Sequence, residues 1–80
     1  MKIQIMKTID YYMSLPYRME IVADAYEGGF VASFPDLPGC LTCGDNIEKA
    51  AENANDAKRA WLEAAIVENI EIREPCEQTY

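Results

Sequence analysis

Apolar residues recur at every second position along two short stretches in the first half of the chain, residues 17–25 and 30–34. This period of two is typical of β-strands with one buried face, and the short run at residues 40–43 is interpreted as a third strand. The apolar face of the first stretch consists of Tyr17, Met19, Ile21 and Ala23. Gly28 and Gly29 separate the first two stretches and supply the residues that a tight hairpin with positive φ requires. The pattern therefore predicts a hairpin followed by a third strand.

A proline-rich corner separates the second predicted strand from the third. Pro35 ends the second strand, because proline has no N–H to donate to the hydrogen bonds of a sheet. Pro38 and Gly39 have the chemistry of a type II turn, in which proline fixes φ and glycine takes the left-handed position. The corner is therefore expected to return the chain directly into the third strand.

A period of 3.6 residues follows the third strand and predicts a long helix. Asp45 is expected to cap its first turn, and Glu48 three residues later would complete a capping box. The predicted buried stripe contains Ile47, Ala51, Ala54, Ala57 with the stem of Lys58 beside it, Trp61, Ala64 and Ala65. Small residues allow the helix to lie close to the sheet, with Trp61 as the largest anchor. Asn69 is expected to end the helix near residue 68.

Two weaker patterns lie at the ends of the chain. Residues 6–14 have helical spacing and are stopped by Pro16, which predicts a short N-terminal helix. Ile70 and Ile72 alternate with charged residues before Pro75, which predicts a last short strand. The expected order is β-β-β-α-β. We therefore predict an α+β sandwich in which one long helix covers one face of a small sheet.

The central motif resembles a known family. Residues 28–40 read GGFVASFPDLPGC, residues 41–45 read LTCGD, and an alanine-rich helix follows. This succession resembles the core of the HicB family of bacterial antitoxins, and the resemblance extends over about residues 15–75. A match of this length is far more specific than a short motif.

The resemblance implies a partial ribonuclease-H-like fold in a single domain covering residues 1–80. It also implies a partner: a HicA-like toxin, which is a small basic mRNA interferase that cleaves with a histidine. Many HicB proteins continue into a DNA-binding domain beyond the position that corresponds to Pro75. This sequence stops at Tyr80, so we expect no direct DNA binding. Related chains often begin at the position of Met6, so residues 1–5 are expected to be poorly ordered.

Composition favours a binding protein that stays in the cytoplasm. The 80 residues include 14 acids, 7 bases and no histidine, with a net charge of −7. This charge opposes binding to nucleic-acid phosphates and suits a basic protein partner. No apolar run is long enough for a membrane span. A chain of this size buries only about 60–65% of its unfolded surface, so we expect a homo-oligomer, either a dimer or a dimer of dimers.

The residues that could carry chemistry favour packing or solvation over catalysis. Cys40 and Cys43 are three apart, which places them on opposite faces of a strand, and Cys76 would be only a third thiolate for zinc. Glu20 and Asp24 share a strand face but lie roughly 13 Å apart, too far for the two-metal site of a nuclease. We therefore predict no catalytic residue, no metal and no cofactor.

The predicted function is that of an antitoxin which masks the active site of a HicA-like toxin. Four acids on or beside the hairpin and the corner are the candidate partner-binding residues: Glu20, Asp24, Glu27 and Asp36. Two alternatives stay open at this point. The first alternative is a self-assembling module without a toxin. The second, which is the less favoured, is a degenerate ribonuclease-H-like enzyme.

Overall fold

The computed structural model describes residues 8–75, which form a three-stranded sheet with a long helix and a short one. The elements in chain order are α1 (Ile9–Met13), β1 (Glu20–Ala23), β2 (Phe30–Ser33), β3 (Leu41–Gly44) and α2 (Ile47–Val67). The prediction of an α+β fold with one long helix is confirmed. The predictions for residues 1–5 and for Cys76 lie outside the described residues.

The sheet is antiparallel in the order β1-β2-β3, so β2 is the central strand. Ala32 pairs with Ile21 on one side and with Thr42 on the other, and this row lies under α2. Ala32 is fully buried, as the alternation predicts. Two strands are shorter than predicted, since β1 occupies only the middle of the stretch at 17–25 and β2 ends one residue early, whereas β3 keeps the predicted length and begins one residue later.

The corner between β2 and β3 has the predicted turn. The amide of Cys40 donates to the carbonyl of Leu37 at 2.9 Å, and Gly39 between them has φ of 81°. A preceding turn joins the amide of Leu37 to the carbonyl of Phe34, also at 2.9 Å. The two turns fold the corner inward, so that Leu37 is fully buried although it lies in a loop.

The N-terminal cap of α2 differs from the prediction. The N-cap is Asn46, not Asp45, and its side chain accepts a hydrogen bond from the amide of Lys49 at 2.7 Å. Lys49 therefore occupies the position where a capping box requires Glu or Gln, and Glu48 lies one residue too early. Asp45 is exposed and precedes the cap.

The buried stripe of α2 also differs from the prediction. Its buried residues are Ala50, Ala54, Lys58, Leu62 and Ala65. Ala54 and Ala65 are buried as predicted, Lys58 is buried where its stem was expected beside the stripe, and Ala64 is exposed. Ile47, the first residue of the helix, is 57% exposed. Ala51, Ala57 and Trp61 are half-buried beside the stripe, so Trp61 flanks the core rather than filling it.

The end of α2 explains why no last strand forms within residues 70–75. Asn69 has a positive φ of 57°, and its amide donates to the carbonyl of Ile66. The amide of Ile70 donates to the carbonyl of Ala65. These two bonds are a Schellman motif, which ends the helix and changes the direction of the chain. Residues 70–75, which we call the tail, then reach Tyr17, whose hydroxyl donates to the carbonyl of Arg73 at 2.5 Å. The prediction of a strand at 70–72 is therefore wrong, and the order is β-β-β-α.

Candidate functional site

The four predicted partner-binding acids lie at two opposite ends of the sheet. Asp24 and Glu27 belong to the hairpin that joins the end of β1 to the start of β2. Glu20 begins β1 and Asp36 lies in the corner after β2, so both are at the other end. A four-residue strand is about 13 Å long, which separates the two pairs. The structure therefore brings Asp24 near Glu27, and it does not gather all four acids into one cluster.

The hairpin end forms a shallow acidic hollow. Asp24, Glu27 and Asp45 line it together with Lys49 and Asn53 at the start of α2. Asp45 was missed as a binding candidate because the sequence assigned it to the helix cap. With Asn46 as the cap, the carboxylate of Asp45 is exposed at this hollow.

Asp24 also has a structural role within the hairpin. One oxygen of its carboxylate accepts hydrogen bonds from the amide of Tyr26 at 2.9 Å and from that of Glu27 at 3.2 Å. Its backbone carbonyl accepts from the amide of Gly28 at 3.1 Å. This arrangement holds the loop that presents Glu27 and leaves the ring of Tyr26 97% exposed. Glu27 is thus placed in solvent on a loop of defined shape.

Glu20 is the one predicted acid with an ion-pair partner among the described residues. Its carboxylate lies 2.9 Å from the guanidinium of Arg18, and both side chains are about half exposed or more. An exposed pair of this kind contributes little to stability. It does neutralise the charge that Glu20 would otherwise present to a partner.

Asp36 lies at the rim of a larger groove of about 670 Å³. Pro38 of the corner, Trp61 of α2 and Ile72 of the tail form part of its apolar lining. The indole N–H of Trp61 donates to the carbonyl of Pro38 at 2.8 Å, which joins the corner to the helix. The groove combines an apolar floor with the carboxylates of Asp36 and Glu74 at its edges.

A buried cation lies beneath the sheet. The ammonium group of Lys58 is 4.9 Å from the ring centroid of Phe34 and 5.5 Å from that of Tyr17, so two aromatic faces replace part of its hydration. Burial lowers the pKa of Lys58, while the neighbouring Cys40 opposes this shift. Burial likewise raises the pKa of the Cys40 thiol. Since Lys58 is buried, one of the few bases does not offset the acidic surface.

Within residues 8–75, no group of three potential metal ligands from histidine, cysteine, aspartate or glutamate lies together. Cys40 is buried in the corner and precedes β3, whereas Cys43 lies within β3 and is exposed. None of the helices in the described part of the chain is long and apolar enough to cross a membrane.

These features define a small α+β protein whose accessible chemistry is an acidic, partly apolar surface. Residues 17–79 match the family described as HicB-like antitoxin of bacterial toxin–antitoxin system, and the chain belongs to this family. The match includes the hairpin, the corner and the whole of α2.

Individual relatives agree with the family. Over 63 residues the chain is 41% identical to Antitoxin HicB 1 of Photorhabdus laumondii subsp. laumondii. The matched segment covers 79% of this chain and 39% of that protein. It is 41% identical over 49 residues to a UPF0150 protein of Synechocystis sp., covering 61% of this chain and 67% of the relative. A third relative is an uncharacterised 14.9 kDa protein in the rep-hol intergenic region of Haemophilus phage HP1, at 35% identity over 60 residues, or 75% and 42% of the two chains. The chain thus spans less than half of the Photorhabdus and phage proteins.

No solved structure gives a significant match to the chain. The ribonuclease-H-like relationship implied by the motif therefore stays a prediction.

Proposed function

We propose that this chain is an antitoxin that binds a HicA-like mRNA interferase and covers the surface with which the toxin engages RNA. The observation that carries this proposal is the acidic surface of a chain that belongs to the HicB-like antitoxin family. A protein that binds RNA must present basic groups to the phosphates, and those same groups attract carboxylates. The antitoxin would therefore compete with RNA for one surface in the cytoplasm.

The acids at the hairpin end are the strongest candidates for the first encounter. Asp24, Glu27 and Asp45 line one hollow, so their fields add on approach of a cationic partner. Asp36 would contribute from the other end of the sheet, beside the apolar groove at Trp61. Glu20 is expected to contribute least, because Arg18 already neutralises it.

The net negative charge also affects the expected binding of DNA. An acidic domain repels nucleic-acid phosphates, so residues 8–75 are expected not to bind operator DNA.

Inhibition by covering a surface needs no chemical step, so we propose that the chain is not an enzyme. Purified protein incubated with RNA and magnesium or manganese should leave the RNA intact. Cleavage that is lost in Glu20→Gln or Asp24→Asn would support the ribonuclease alternative instead.

The electrostatic proposal is tested by neutralising the predicted acids together. Glu20→Gln, Asp24→Asn, Glu27→Gln and Asp36→Asn form one variant, in which Asn at position 24 retains the oxygen that holds the hairpin. Association with a purified HicA-like toxin from the same genome would be measured at low and at physiological salt. We expect slower association and a weaker dependence on salt, because steering charges act mainly on the on-rate.

A matched control neutralises acids elsewhere on the protein. Asp56→Asn and Glu63→Gln change two exposed carboxylates of α2 that lie outside the hollow and the groove. This control should reduce the association rate by less for each charge removed. If the fourfold variant keeps the affinity and the association rate of the original chain, the proposed docking through these acids is wrong.

A further inference from the structure

The side chain of Tyr26 projects from the loop of the β1–β2 hairpin into solvent. It is 97% exposed, the largest exposed fraction of any large apolar side chain in residues 8–75. A tyrosine in a folded protein usually buries the carbon atoms of its ring and leaves only the hydroxyl in water. Since almost none of the Tyr26 ring is covered by the described residues, the ring adds little to the stability of the fold. Its size and exposure are instead typical of a residue that binds a partner.

The hairpin holds the backbone at Tyr26 in a defined conformation. The amide of Tyr26 donates to the carboxylate of Asp24 at 2.9 Å, and the amide of Asp24 donates to the carbonyl of Gly29 at 2.9 Å. Gly28 and Gly29 have positive φ of 81° and 75°, which completes the turn. A loop that is already ordered loses less entropy when it binds, and a tyrosine ring has only two torsions to fix. Tyr26 is therefore presented as a preorganised anchor.

Negative charge lies beside the ring. Glu27 follows Tyr26 directly in the exposed loop, and Asp45 lines the same hollow as Glu27. Lys49 also lines this hollow, but its ammonium group is 3.5 Å from the carboxylate of Glu52. The hairpin thus presents a flat ring next to an anionic group. A nucleotide has the same two parts, since its base is attached to a phosphate.

A protein that binds single-stranded RNA offers groups that fit both parts of this hairpin. Basic side chains bind the phosphates, while aromatic rings or the guanidinium planes of arginine stack on the bases. The same rings and guanidinium planes stack on the face of a tyrosine ring. The basic side chains that bind phosphates also attract carboxylates.

We propose that Tyr26 occupies the position in the toxin at which an RNA base is stacked, while Glu27 faces the groups that bind phosphate. This inference rests on the proposed function, to which it adds the residue that competes directly with a base. The hairpin would then exclude RNA by filling part of its site as well as by covering it.

The affinity of Tyr26 variants for a purified HicA-like toxin from the same genome tests the proposal. Tyr26→Phe retains the ring and should keep the affinity of the original chain. Tyr26→Ala should weaken binding about 30-fold or more, which is the loss expected of an aromatic hot spot. Tyr26→Leu is apolar but has no flat face, so it should lose nearly as much. Val67→Ala is the matched control, because it shortens an 82% exposed apolar side chain at the end of α2 and should not change the affinity.

The outcomes separate this inference from the proposed function. If the original chain does not bind the toxin, both are wrong. If the original chain binds and Tyr26→Ala binds equally well, the proposed function stands and the role of Tyr26 is wrong. Full affinity of Tyr26→Leu would show an apolar contact without stacking, which also overturns the inference. The urea midpoints of all variants should match that of the original chain, because the ring lies in solvent.

The fluorescence of Tyr26→Trp provides a second measurement, which reports on position 26 itself. The original chain contains a single tryptophan, Trp61, so the difference between the two chains isolates the added indole. Toxin should shift the emission of this indole to shorter wavelengths as the ring becomes buried. A single-stranded 2′-O-methyl RNA, which resists cleavage, should reverse the shift by displacing the chain. An emission that the toxin leaves unchanged, or a shift that this RNA does not reverse, would contradict the inference.

Discussion

Replacing Gly44 with alanine should strongly destabilise the fold, because the added Cβ atom would meet the backbone of α2. A Cβ atom at Gly44 would lie 2.4 Å from the backbone nitrogen of Ala50 and 2.7 Å from its Cα. Ordinary contacts of a Cβ begin near 3.4 Å, so the first turns of α2 would have to move by about 1 Å. Both clashing atoms belong to the helix backbone, and no side chain can rotate away to relieve them.

The expected cost of Gly44→Ala is about 3 kcal/mol or more, at the upper end of the range for overpacked sites. For 80 residues, the whole free energy of unfolding is expected to be about 4–12 kcal/mol. Urea unfolding followed by the fluorescence of Trp61 and by far-ultraviolet circular dichroism measures the loss.

Gly28→Ala is the control for Gly44→Ala. Gly28 has φ of 81°, and no atom beyond its two chain neighbours lies within 4 Å of the point that a Cβ would occupy there. Alanine at this position therefore costs only the strain of a left-handed backbone, about 1–2 kcal/mol. The midpoint of Gly44→Ala should lie below that of Gly28→Ala. If the two midpoints coincide, or if Gly44→Ala is the more stable of the two, the close approach of α2 to β3 is wrong.

Three further changes test other parts of the structure. Burial, followed by the charge of Glu74, raises the pKa of Tyr17 from 10.0 to about 12, so the neutral phenol stabilises the fold below pH 10 and this contribution is lost as pH rises towards 12. The stability advantage of the original chain over Tyr17→Phe should disappear across that range, and an advantage that persists at pH 12 would contradict the burial of the hydroxyl. Asn46→Ala should cost about 1 kcal/mol through loss of the cap, whereas Asp45→Ala should cost almost nothing; the reverse order would restore Asp45 as the cap. Trp61→Phe should cost about 1 kcal/mol by removing the hydrogen bond to the corner, and an unchanged urea midpoint would mean that this bond contributes no stability.

The spacing of apolar residues in β1 and β2 and the turn residues between the strands were enough to predict the sheet, because each of these two strands has a clear inner face. The inner face of β3 could not be read from the sequence, since Leu41 is exposed and Thr42 pairs with the buried Ala32. Ala32 and Phe34 are buried as their spacing predicts, and Gly39 takes the positive φ of the expected turn. Asn69 also ends α2 where the sequence suggests. These features depend on local backbone chemistry, which the sequence states directly.

The buried face of the alanine-rich helix α2 could not be predicted as accurately as the sheet, because its small residues fit more than one stripe. Ala50 is buried and Ala51 is only half-buried, although periodicity alone favoured Ala51. Lys58 lies in the core because two aromatic rings accept its cation, and that contact depends on the tertiary fold. Asp45 and Asn46 are adjacent residues that both make good caps, so local sequence did not decide between them.

The candidate site was predictable in its charge but not in its arrangement. Asp36 and Glu27 were both chosen because they lie near turns, and the topology then places them at opposite ends of the sheet. The tail shows the same limit. Ile70 and Ile72 have the spacing of a strand, but the Schellman motif at Asn69 redirects the chain, and Ile72 packs against the core without joining the sheet.

The most direct test of the proposed inhibition is a cleavage assay in which the HicA-like toxin, its RNA substrate and this chain are combined. We expect cleavage to fall in proportion to added chain until the toxin is saturated, and we expect more chain to be required when RNA is in excess. That competition is the signature of an inhibitor that covers the RNA-binding surface. Full cleavage at saturating chain, or inhibition that is independent of RNA concentration, would contradict the proposed masking of the active site.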